Sequence, residues 1–247
     1  MDIRMVYSYD GSKFYGMQRQ KNKITVQGEI ERVIFEVFNE KINLISSGRT
    51  DRGVHALMQV SNFKISKTIP PIAIKKQLNK ALYGKIKVYN IDIVDKDFNS
   101  RYMATYRTYL YRLKYIDDIS PFEASYISEI RKDIDIEKIN KKLALFVGEH
   151  DFTLYSKSDK DQKNPVRKIY SANCVKINDE FQIIIKGNSF LKSMIRLIVA
   201  SCIYEDEQTI INKLNGIGNG PKKILSPNGL YLKEVCYDNK KIRCYTW

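Results

Sequence analysis

At 247 residues with 43% hydrophobic side chains, the chain is long enough for one large domain or two small ones, and too apolar for disorder. Lys and Arg number 42 against 28 Asp and Glu, a net charge of +14 that favours a polyanionic partner, nucleic acid or an acidic membrane surface. Every apolar run is broken by Lys or Arg before it reaches the length of a membrane span.

The chain opens Met1-Asp2-Ile3-Arg4 and goes straight into the alternating pattern of a strand over 3–9, with no signal-peptide core, so a cytoplasmic protein is expected. Val26, Ile30, Val33, Ile34, Val37 and Phe38 follow at helical spacing, with Thr25 as N-cap. Strands are predicted over 43–46 and 54–65. A second helix starts near Pro71, with Ile74, Leu78, Ala81 and Leu82 on one face and Gly84 closing it, and 86–94 is again a strand. This half reads β-α-β-β-α-β.

The second half repeats the order. Residues 105–116 form a long aromatic strand, followed by a loop with Pro121. Asp135 caps a helix carrying Ile136, Ile139, Leu143 and Phe146 that stops at Gly148. Strands at 168–177 and 181–186, an apolar helix over 190–204, a short helix over 209–214 and a strand over 230–237 complete it. The fold class is α+β: two ferredoxin-like halves, 1–104 and 105–247, with antiparallel sheets side by side around a central cleft. No residue-level repeat relates them.

Two features bear on chemistry. On the strand over 105–116, Arg107, Tyr109, Tyr111, Leu113 and Tyr115 share one face. With Arg112 and Lys114 they suit stacking on unpaired bases with cations on phosphate; packing of the same tyrosines into a core is the equal alternative. The second feature is SSGRTDRGVHA, over 46–56. Gly48 and Gly53 bracket Arg49, Thr50, Asp51 and Arg52, and flanking arginines would keep Asp51 ionised, as a carboxylate nucleophile or base requires. A charged surface turn has the same composition.

The four cysteines, Cys174, Cys202, Cys236 and Cys244, are scattered and read as reduced. With only His55 and His150 available, a His-rich metal site is excluded, and no Walker loop is present. Neither a metal nor another cofactor is expected.

GRTDRGVHA resembles the signature of the tRNA pseudouridine synthase A family, and five further segments match that family in order. These are YDGSKFYGMQRQ (9–20), FNSRYMATYRTYLYRL (98–113), VGEHDFTLYS (147–156), GNSFLKSMIRLIVA (187–200) and LSPNGLYL (225–232). The resemblance implies isomerisation of uridine to pseudouridine in the anticodon arm of tRNA, at positions 38, 39 and 40, by a homodimer. It implies that Asp51 is the catalytic carboxylate, that Arg49 holds the target nucleotide, that Tyr111 stacks on the uracil, and that Arg196 pairs with Asp51. Physical chemistry accepts these roles. The reaction breaks N1–C1′ and forms C5–C1′ with no redox change, which needs a carboxylate, a stacking platform and little water. Attack at C1′ and proton abstraction at C2′ both remain open. Arg196 lies in an apolar helical run, so it either meets an anion or snorkels to the surface.

Arg52, Arg107 and His55 complete the expected substrate contacts; His55 is read as structural or RNA-contacting and not as a general base. His150 and Asp151 either shape a groove or cap a turn. Lys157, Lys160, Lys163, Arg167 and Lys168 are equally a solvated loop or a phosphate track. The sequence departs from the family's pattern at Met17, where Trp is frequent, at Arg52, where Ala is frequent, and at Tyr155, Ser156, Lys192, Ser193 and Ala200. These departures bear on which RNA is chosen more than on the reaction.

Overall fold

The computed structural model describes residues 1–157 and 164–237. The described residues divide into two compact units, one of Met1–Thr105 with residues 231–237, the other of Tyr106–Leu230.

In the first unit, strand β1 (Asp2–Tyr9) leads to helix α1 (Val26–Phe38), strands β2 (Ile45–Ser46) and β3 (His55–Lys64), helix α2 (Pro71–Ala81) and strand β4 (Ile86–Ile93). β1 lies between β4 and β3, antiparallel to both, and β2 pairs antiparallel with the far edge of β3. The order β4-β1-β3-β2 is that of a ferredoxin-like sheet, as the alternation predicted.

Local chemistry explains the helix ends. Thr25 Oγ1 accepts the Gly28 N–H at 3.2 Å, and Asn39, in the left-handed region at φ +52°, stops α1. Pro71 starts α2 at the position where its missing N–H costs nothing. Ile30, Val33 and Ile34 of α1 and Ile74 and Leu78 of α2 are buried, each contributing about 1.5–3 kcal/mol of hydrophobic stabilisation.

The last strand, β10 (Leu230–Cys236), groups with this unit from Tyr231 on. It runs parallel to β3, with Tyr231 opposite His55 and Leu232 opposite Ala56. That pairing brings chain from the end of the sequence to the residues that follow the GRTDRG loop.

The second unit carries β5 (Tyr106–Tyr115), β6 (Ser128–Ile130), α3 (Ile136–Ala144), β7 (Gly148–Asp151), β8 (Val166–Ile177), β9 (Glu180–Gly187), α4 (Met194–Tyr204) and α5 (Glu207–Leu214). β5, β9, β8 and β7 pair in that order, antiparallel, and β6 pairs parallel with β5. Asp135 caps α3 by accepting the Lys138 N–H at 3.1 Å. The short strands β6 and β7 stand where only loop was expected.

β5 is enclosed on both faces, so its tyrosines do not line an open groove. Tyr109 is 8% exposed and meets Phe190 edge-on at 5.2 Å, while Tyr115 meets Phe181 edge-on at 5.5 Å. The basic residues of this strand are engaged as well. Arg112 forks onto both oxygens of Glu180 at 2.9 and 2.6 Å, and Lys114 reaches Asp179 at 2.8 Å and Glu123 at 3.2 Å. The expectation that Arg112 and Lys114 face phosphate is therefore corrected: carboxylates of the same unit hold them.

Cys174 and Cys202 are buried free thiols, whereas Cys236 is disulfide-bonded, against the expectation of four reduced cysteines. Lys160, Lys163 and Cys244 lie outside the described residues. No helix among the described residues is long and apolar enough to cross a membrane.

Candidate active site

The GRTDRG loop leaves β2 and re-enters the sheet at β3. Buried polar groups pin its upstream end. The Ser47 N–H donates to Val60 O at 2.8 Å, Ser47 Oγ donates to Gln59 Oε1 at 2.6 Å, and Gln59 Nε2 donates to Gly48 O at 3.0 Å. Gln59 is fully buried, so each of these groups left unpaired would cost about 1–3 kcal/mol.

At the tip, the Val54 N–H donates to Asp51 O at 3.2 Å, and Gly53 sits at φ +83° in the third position of the turn. A type II turn requires positive φ there, which is why the aspartate is followed at that distance by glycine. Thr50, one residue before Asp51, is clamped twice: its Oγ1 lies 2.7 Å from Tyr9 Oη, and its carbonyl accepts the Met17 N–H at 3.1 Å.

The segment YDGSKFYG forms the bed of this turn. A Cβ on Gly11 would stand 2.1 Å from Val54 O, and one on Gly16 would stand 3.1 Å from Thr50 O. Both glycines are needed because backbone packs directly on backbone. The arrangement leaves Asp51 half-buried on a turn fixed from three sides.

The other predicted residues of this unit are placed as follows. His55 is 2% exposed; its Nδ1 accepts the Gly11 N–H at 3.0 Å, and its ring stacks on Tyr231 at 4.7 Å and 18°. The Asp10 carboxylate lies 3.4 Å from the same Nδ1, so the ring is held from two sides and acts as a prop under the loop. Arg49 is exposed and donates to Gln18 Oε1 at 3.3 Å. Arg52 is exposed, with its guanidinium carbon 4.3 Å from the centre of the Tyr15 ring.

In the second unit the structure brings Tyr111 and Arg196 together. Tyr111 is fully buried and its hydroxyl donates to Ser226 O, which also accepts from Ser128 Oγ at 2.7 Å. Arg196, half-buried on α4, donates through Nε to Leu225 O at 2.8 Å. Consecutive carbonyls thus orient both side chains. Burial pushes the Tyr111 phenol well above its usual range, and hydrogen bonding from Ser128 and the adjacent Arg196 charge only partly oppose this.

Arg107 is 7% exposed and donates to Asn188 O at 2.8 Å, inside the unit and away from solvent. Asp151 caps the turn after β7 through the Thr153 N–H at 2.7 Å, and His150 lies on that edge strand, edge-on to Phe152 at 5.9 Å.

A model of the tRNA pseudouridine synthase family matches residues 5–103 and 143–238. The chain belongs to this family. It is 34% identical over 248 residues to tRNA pseudouridine synthase A 2 of Clostridium tetani, covering 96% of this chain and 99% of that one. It is 35% identical over 242 residues to tRNA pseudouridine synthase A of a Bacillus species, with the same coverage. It is 36% identical over 244 residues to the Thermosipho africanus protein of that name, covering 94% of this chain and 97% of the relative.

Within this pseudouridine synthase, composition and spacing did not mark Tyr9, Gln59 or Tyr231 as supports of the loop. Gly11 and Gly16 lay inside a matched segment whose physical task was not evident, because the backbone they touch is remote in sequence. The signal that could have found them is the pairing of two bare positions, 11 and 16, with a loop that must hold a charged residue still.

Proposed function

We propose that this member of the tRNA pseudouridine synthase family isomerises uridine to pseudouridine in the anticodon arm of tRNA, at positions 38, 39 and 40, with Asp51 as the reacting carboxylate. The observation that carries the proposal is the construction of the Asp51 turn. Its carbonyl closes the turn onto Val54, and Thr50 beside it is clamped by Tyr9 and Met17. A carboxylate must be held within a fraction of an ångström to meet a sugar carbon or its proton, and a fixed turn supplies that positioning.

Arg49, exposed beside the carboxylate, holds the target nucleotide. By the family resemblance Tyr111 is the residue set against the uracil between cleavage of N1–C1′ and closure of C5–C1′; its ring is fully buried without RNA, so that contact requires the chain covering it to move aside. Arg196 supplies a fixed positive charge. His55 props the loop and Arg52 is a further substrate residue, while Arg107, buried and donating to Asn188 O, is assigned no substrate contact. The target base must leave its stack, which costs about a few kcal/mol, and the net charge of +14 attracts the phosphates whose contacts offset that cost. The protein is proposed to act in the cytoplasm, and as a homodimer, the latter following from the family resemblance.

The test uses purified protein and an unmodified tRNA transcript, with pseudouridine mapped at each position. Product at 38, 39 and 40 is expected, and Asp51→Asn should bind the transcript with wild-type affinity and form none. Pseudouridine formation by Asp51→Asn would remove the carboxylate assignment; product elsewhere would move the target.

A further inference from the structure

We propose that Tyr15, Arg52 and Lys23 form a contact for the RNA sugar-phosphate backbone beside the Asp51 turn; the inference rests on the reading of the protein as an RNA-modifying enzyme. The Arg52 guanidinium carbon lies 4.3 Å, and Lys23 Nζ 4.6 Å, from the centre of one ring, that of Tyr15. Tyr15 is 38% exposed, and Arg52 and Lys23 are both exposed.

Two cations share one aromatic ring, whose negative face attracts each while they repel each other. Two other exposed arginines of this unit are neutralised: Arg19 pairs with Glu31 at 2.8 Å, and Arg32 with Glu29 at 3.0 Å and Glu36 at 2.6 Å. Among the described residues, neither Arg52 nor Lys23 has a carboxylate partner. A phosphodiester relieves the repulsion by meeting both charges. A guanidinium laid on a ring also keeps its N–H edge free for phosphate oxygens.

The contact is mechanically tied to the turn. Tyr15 N–H donates to Ile24 O at 2.8 Å, closing the loop that carries Lys23, and Met17 N–H donates to Thr50 O at 3.1 Å. Between them, Gly16 lets the chain approach the backbone of Thr50, Asp51 and Arg52 within 3.1–3.4 Å of where its Cβ would stand. A phosphate held here is registered against a residue adjacent to Asp51, so the contact selects which part of the strand lies at the carboxylate.

The test measures dissociation constants for an unmodified tRNA transcript over a series of KCl concentrations, for wild type, Arg52→Gln, Lys23→Gln, Arg52→Lys and Tyr15→Leu. Each Gln variant is expected to weaken binding about three- to tenfold and to lower the slope of log affinity against log salt by about one. Arg52→Lys should recover the slope, and Tyr15→Leu, which keeps both charges, should weaken binding at an unchanged slope. Wild-type affinity and slope in both Gln variants, or wild-type affinity in Tyr15→Leu, would overturn the proposal. Pseudouridine formation is assayed separately on the same preparations. If wild type forms product while the Gln variants bind as wild type does, this inference fails and the enzymatic reading stands. If the slopes fall as expected but wild type forms no product, the reverse holds.

Discussion

The backbone N–H of Gly11 donates to Nδ1 of His55 at 3.0 Å, tying the segment after β1 to the first residue of β3. The same glycine lies so close to Val54 that no side chain fits. Gly11→Ala should therefore push the Asp51 turn out of place, destabilising the protein by about 1–3 kcal/mol and reducing activity far more than that loss explains. His55→Ala removes both the acceptor for Gly11 and the stack on Tyr231, and should cost about 2–4 kcal/mol. Thermal melting and pseudouridine formation, measured together, check both; a His55→Ala protein with wild-type stability would remove the propping role.

Tyr111 combines full burial with a hydroxyl donated to Ser226 O. Because burial raises its pKa well above the ordinary 10, the phenol stays protonated through neutral and mildly alkaline pH and acts as a donor, not a base. Tyr111→Phe keeps the ring and loses one hydrogen bond, so it should lose about 1 kcal/mol of stability and retain the wild-type pH–rate profile. Tyr111→Ala should abolish product. A limb missing from the Tyr111→Phe profile would show that the hydroxyl titrates in the reaction.

Glu40 accepts from the Ser66 hydroxyl and from the backbone N–H groups of Ser66 and Lys67. The Ser66 hydroxyl, then the two amides, hold its pKa below the usual 4.5. A carboxylate whose folded pKa is depressed adds stability above its unfolded pKa and loses it as pH falls through the folded value. The melting temperature should thus decline as pH drops below about 4.5, and Glu40→Gln should flatten part of that decline. An unchanged pH dependence in Glu40→Gln would place the acid sensitivity elsewhere.

The order of elements was legible wherever a segment carried its own periodicity and cap, as α1 does with Val26, Ile30, Val33 and Ile34 behind Thr25. Asp51 stood out because glycines and arginines surround it in sequence. What was not legible depends on distant partners. Arg112 and Lys114 looked free until Glu180 and Asp179, more than sixty positions on, were seen to hold them. The tyrosines of β5 gave an alternation equally suited to an exposed or an enclosed strand, and only the packing of Phe181 and Phe190 decides between these. The parallel pairing of β10 with β3 at His55 carries no local signal at all.

Arg196 tests whether stability and catalysis separate in the second unit. Its Nε is fixed by Leu225 O, the residue before the carbonyl that holds Tyr111, so its orientation is set by backbone and not by a flexible partner. A half-buried cation in a helix of Met194, Ile195, Leu197 and Ile198 is an expensive choice for folding alone, since desolvation offsets much of what its contacts return. Arg196→Met, which fills similar volume, should melt within about 1 kcal/mol of wild type while losing pseudouridine formation. Arg196→Lys keeps a charge but not the planar fork, and should stay well below wild-type turnover. An Arg196→Met protein that forms pseudouridine at the wild-type rate would make the arginine a structural element only.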